Sequence, residues 1–123
     1  MGTLDEDMDQ YAADLSKLKR EDFWKGIGIL LTMGGEVTAW ITVVVATVKG
    51  ISLIASVFPP ALAGHIFTPA LLMQAVGAVS RKYAELSSYE RTVVSAALGG
   101  LKVLTDPTQP HKILQVLKTI ISG

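Results

Sequence analysis

The chain contains no cysteine, which excludes a disulfide-stapled scaffold and any thiolate-ligated metal centre. It is also poor in charge. Asp, Glu, Lys and Arg together make up 18% of the residues, against about 25% in an ordinary soluble domain. Gly26 and Gly28 begin something like a phosphate loop, but no third glycine follows in register and no strand precedes them. The two histidines, His65 in ALAGHIF and His111 after Pro110, have no companions at metal-ligand or general-base spacing. His65 therefore reads as a loop residue bonded to backbone, and His111 as an exposed residue in the first turn of a helix. The N-terminal acids scatter round their helix and lack the calcium-loop pattern. No catalytic residue, cofactor site or metal site is expected, and the chain reads as non-enzymatic.

Half of the 123 residues are apolar and the mean hydropathy is +0.42. A chain this short has much surface to solvate, so an apolar excess on this scale calls for burial in an oligomer or against lipid. The formal net charge is zero but unevenly placed. Residues 1–22 carry seven acids against three basic residues, a net −4, and the remaining chain carries a net +4. That basic excess is too sparse for a nucleic-acid footprint; no nucleic acid and no small-molecule substrate are expected. The acidic N-terminus is the reverse of a secretory signal, which predicts an intracellular protein, and the apolar excess adds the expectation that it is membrane-associated.

The pattern predicts an all-α fold, five or six helices in a single domain spanning 1–123. Thr3 and Glu6 form a capping-box pair ahead of Leu4, Met8, Tyr11, Leu15 and Leu18, whose alternating spacings of four and three predict one amphipathic helix over 4–20. Asp22 is expected to cap a second short helix, broken at Gly34-Gly35. From Glu36 to Phe58 the chain is rich in Val and Thr, which favours a strand locally. The segment is too long for one, and its polar residues recur at helical steps. Thr38, Thr42, Lys49, Ser52 and Ser56 form a stripe on an otherwise apolar helix, with only Val45 filling the gap. Pro59-Pro60 ends it, and Thr68-Pro69 opens a helix over 69–86. Ser87 and Glu90 make a second capping box for a helix over 88–104, containing Gly99-Gly100. Asp106-Pro107 stops that helix, and Pro110 starts a last amphipathic one over 110–122.

These elements suggest a central apolar hairpin, 36–80, wrapped by the amphipathic helices on either side. The composition permits the hairpin to enter a bilayer but does not demand it, because Lys49 near the middle of the first arm costs about 2.5–3.5 kcal/mol on insertion scales. The function expected is self-assembly through a hydrophobic, membrane-associated surface, as a homo-oligomer in contact with lipid. The polar stripe would then be the oligomer-facing or pore-facing side. The alternative is a soluble helical bundle serving as an adaptor or structural subunit.

Overall fold

The computed structural model describes residues 3–53 and 68–122, with side chains described over 3–50 and 68–121. Among these residues the chain forms six α-helices and no strand: α1 (Leu4–Ala13), α2 (Arg20–Leu31), α3 (Gly35–Leu53), α4 (Pro69–Tyr83), α5 (Ser88–Leu104) and α6 (Pro110–Ser122). A 3-10 turn, Leu15–Lys17, joins α1 to α2. The chain is thus an all-α single domain.

Three of the expected caps are local and form where the sequence places them, at Thr3, Thr68 and Ser87. Thr3 Oγ accepts from Glu6 N–H at 3.3 Å, and Thr68 Oγ accepts from Leu71 N–H at 3.3 Å with Pro69 at the first helical position. At α5 the box is reciprocal. Ser87 N–H donates to Glu90 Oε1 at 3.0 Å and Glu90 N–H donates to Ser87 Oγ at 3.2 Å, so two orphan amides are satisfied at once. Gly34 and Gly35 take positive φ, 76° and 60°, a conformation glycine adopts without steric penalty. They turn the chain from α2 into α3.

Three expected boundaries are corrected, the simplest being that α4 ends at Tyr83 rather than at residue 86. The first helix does not run to residue 20, because the Asp14 carboxylate accepts from both the N–H and the hydroxyl of Ser16. That local competition with the helix ladder ends α1 at Ala13. Leu15 and Leu18 nonetheless stay buried beside Leu4 and Met8, so the apolar seam survives the change of backbone. Nor does Asp22 cap α2. The helix begins at Arg20 after Lys19, with no side-chain capping bond, and Asp22 lies in its first turn, where a carboxylate suits the helix dipole.

The centre of the described fold is α5 rather than the helix that follows Gly34-Gly35. Every residue from Val93 to Leu101 is buried, so for two and a half turns α5 has no solvent face. A helix can be enclosed on all sides only if its neighbours approach closely, and small residues make that possible. A Cβ on Gly26 of α2 would lie 1.9 Å from the Val93 carbonyl oxygen, and one on Gly99 would lie 2.6 Å from Tyr11 Cβ and 2.7 Å from the Met8 carbonyl oxygen. These are the tight crossings of α2 and α1 over α5, the two most extensive helix contacts among the described residues. Ser95, the one polar side chain in the enclosed stretch, bonds the Arg91 and Thr92 carbonyls of its own helix.

Helix α3 is peripheral. It packs chiefly on α2 and α4 through a single face, Val37, Ile41, Val44 and Val48. The segment through Pro59-Pro60 and His65, the proposed hinge of the apolar hairpin, lies outside the described residues. Among those described, no helix is long and apolar enough to cross a membrane.

Candidate functional surface

Because α3 buries only one face, its opposite side is turned out, and that side has an unusual composition. Ala39, Thr42, Val43 and Ala46 are exposed, Val43 to 58%. No charged residue occurs between Glu36 and Lys49. The neighbouring α4 repeats the pattern. Leu72, Ala75, Val76, Val79 and Tyr83 face inward, while Leu71 is 41% and Met73 69% exposed. Gln74 and Gly77 lie beside them on the exposed side, and no charge precedes Arg81. The two helices pack on each other, so two uncharged outer faces belong to one side of the bundle. Elsewhere the outer surfaces carry charge: Asp5, Glu6 and Asp9 on α1, Glu21 and Lys25 on α2, Lys118 on α6.

Polar contacts at the rim fix the position of α4. Arg91, near the start of α5, donates from Nε to the Tyr83 carbonyl at 3.2 Å and from Nη2 to the Ala84 carbonyl at 2.8 Å. Its guanidinium thereby satisfies carbonyls at the C-terminal end of α4, where a cation is favoured, and it stands 5.9 Å from the Tyr83 ring. The Tyr83 hydroxyl donates to Asp7 Oδ2 at 2.5 Å, tying α4 to α1. Lys82 Nζ donates to the Met33 carbonyl at 2.9 Å, tying the end of α4 to the turn before α3. A second cross-link joins Lys102 of α5 to Asp9 of α1.

Burial, and then the hydrogen bond to the Asp7 carboxylate, push the Tyr83 hydroxyl from its ordinary value of 10.0 up to about 12. Both effects favour the neutral phenol in the folded state, so its contribution to stability is complete below pH 10 and is lost as pH rises towards 12. Chemical denaturation of the wild-type protein should therefore show falling stability across that window, with a shallower fall in Tyr83→Phe. Identical slopes for the two proteins would remove Tyr83 as the cause.

The stripe residues do not converge on one structural role. Thr38 is half-buried, and its hydroxyl donates to the Leu31 carbonyl at 3.0 Å, closing the C-terminal end of α2. Thr42 is exposed and donates to the Thr38 carbonyl at 2.7 Å, a back-bond within the helix. Lys49 is exposed at the far end of the same outer face. The side chain of Ser52 and the whole of Ser56 lie outside the described residues. Val43, Leu71 and Met73 were not singled out by the hydrophobic periodicity, which marks the inward positions. The signal that would have found them is the absence of charge on the side opposite the inward face. His111 is exposed, as expected. Among the described residues no group of three or more His, Asp or Glu side chains is placed to hold a metal ion.

The fold and surface define a class, a helical single-domain protein with an uncharged two-helix face. Comparison of the chain with known protein families, with curated proteins and with solved structures finds no match.

Proposed function

We propose that this is a non-enzymatic protein that works by self-assembly and lipid contact through the outer faces of α3 and α4. The observation that carries the reading is the exposure of Val43, Leu71 and Met73 on two adjoining helices with no charge from Val37 to Val48 or from Thr68 to Ser80. Apolar side chains exposed on two packed helices, with no charge among them, are the kind of surface that marks an interaction site. Covering it with a second copy, or with the interfacial region of a bilayer, releases water from apolar surface at about 25 cal/mol per Å². Burying a formal charge there would oppose this, and neither outer face carries one along these stretches.

The test places charge in the middle of the surface. Wild-type protein at micromolar concentration should scatter as a particle larger than its 13.1 kDa protomer and should float with phospholipid vesicles. The double substitution Val43→Glu and Met73→Glu should give a monomer that stays at the bottom of the gradient. Its melting temperature should change little, since exposed substitutions usually fall within about 0.5 kcal/mol. A wild-type protein that is a clean monomer and ignores vesicles would sink the proposal. That result would favour the second reading, an adaptor or structural subunit, which the conventionally enclosed α5 also suits.

A further inference from the structure

A cavity of about 290 Å³ opens where the end of α1, the end of α5 and the start of α6 meet. Sites for drug-sized ligands run from about 300 to 1,000 Å³, so this one suits a molecule of few heavy atoms. Its wall carries side chains of both signs, Asp9 and Asp106 with Lys102 and Lys112. Asp9 of α1 pairs with Lys102 of α5. An ammonium and a carboxylate each have several hydrogen-bonding positions, and one contact leaves most of them open to a further partner. Asp106 is held rigidly in the link between α5 and α6. Its Oδ1 accepts from the Thr108 N–H at 3.0 Å and the Thr108 hydroxyl at 2.5 Å, and its Oδ2 accepts from Gln109 Nε2 at 3.0 Å. The Thr108 bonds first, then the Gln109 bond and the Lys112 charge, keep the Asp106 carboxyl below the ordinary carboxylate value. Lys112 is half-buried in the first turn of α6, a turn without an acid, where the helix dipole disfavours a cation.

We infer that this cavity binds a small zwitterion of the α-amino-acid type with a short apolar side chain. The ammonium lies toward Asp9, where Ala12 and Ala13 bring the carbonyl end of α1 and its partial negative charge. The carboxylate lies toward Lys112, and the side chain lies against Ala12, Ala13 and Val103. A molecule with a single charge is matched by half of the charged wall and repelled by the other half; a zwitterion is matched by both. The site involves neither Val43 nor Met73 and does not depend on the α3–α4 surface.

Nitrogen-15 NMR of the full chain reads the cavity directly. Titration with L-valine should shift the backbone amides of Ala13, Thr105, Gln109 and Lys112 along a saturable one-site curve. Isovalerate keeps the branched tail and the carboxylate, and isobutylamine keeps the tail and the ammonium. Each should bind roughly tenfold more weakly than valine, the effect of losing one charge-assisted contact. Lys112→Gln takes a cation out of the first turn of α6, so the helix is not weakened by the change. It should lower valine affinity by a similar factor while isobutylamine binds no worse than to wild type, and Lys112→Arg should restore valine binding. Asp9→Asn should give the mirror image, weaker valine and unweakened isovalerate. A variant that had merely loosened the fold would lose all three ligands together. Val43→Glu with Met73→Glu should leave valine binding unchanged. The inference is overturned if valine gives no saturable shift, if either single-charge analogue binds as tightly as valine, or if Lys112→Gln and Asp9→Asn both leave valine binding unaltered. Loss of all three ligands in both of those variants, or loss of valine binding in the Val43→Glu, Met73→Glu protein, would overturn it as well.

Discussion

Gly26→Ala and Gly99→Ala should each destabilise the protein by about 1–3 kcal/mol, although alanine is the better helix former by about 0.8–1 kcal/mol. Both positions lie within helices, so an isolated helix would gain from the change. In the folded protein the added methyl has nowhere to go. At Gly26 it meets the carbonyl of Val93, and at Gly99 the carbonyl of Met8 and the Cβ of Tyr11. Main-chain atoms and a Cβ cannot swing aside as the end of a long side chain can, so α2 or α1 must shift bodily off α5. Gly28 provides the control. It lies in the same helix as Gly26, but a Cβ there meets nothing within 4 Å. Gly28→Ala should therefore stabilise by up to about 1 kcal/mol through helix propensity alone. Thermal and urea unfolding of the three variants tests the assignment of α5 as the enclosed helix. If Gly26→Ala and Gly99→Ala melt at or above wild type, the close crossings are not as described.

Deleting residues 1–18 should abolish cooperative unfolding altogether. The sequence pattern alone suggests an acidic N-terminal helix that shields the apolar hairpin or binds a partner, so that its loss increases aggregation or liposome binding. Its burial implies a larger effect. Leu4, Met8, Leu15 and Leu18 are each at most 7% exposed, and fully burying such a side chain contributes about 1.5–3 kcal/mol. Four of them together are comparable with the whole stability of a domain, about 5–15 kcal/mol. The deletion would also uncover the face of α5 at Gly99 and remove the Asp7 partner of Tyr83. The expected result is a broad, non-cooperative melt by circular dichroism, with heavy scattering. A truncated chain that melts sharply near the wild-type temperature would show that α1 is an appendage and not part of the core.

The class of fold and most of its punctuation are legible in the residue pattern. Helical periodicity is carried within each segment, and the caps at Thr3, Thr68 and Ser87 depend on atoms three residues apart. These features are therefore visible without knowing any long-range contact. The starts at Pro69, Ser88 and Pro110 and the turn at Gly34-Gly35 follow from the same local chemistry. The boundary at Asp14 was missed because a short side chain bonding two residues ahead competes with a helix pattern that its apolar seam fully supports. Which helix is enclosed is visible only in the packing. Hydropathy favours the Val-rich α3 for that role over a stretch reading VVSAALGGL. Enclosure on all sides depends on how closely other helices can approach, and there small side chains outweigh large apolar ones. With α5 at the centre, α3 is left at the edge with one face buried, and Val43 and Met73 are turned outward. Whether a given apolar residue is core or surface is a property of its neighbours, and those neighbours are distant in the chain.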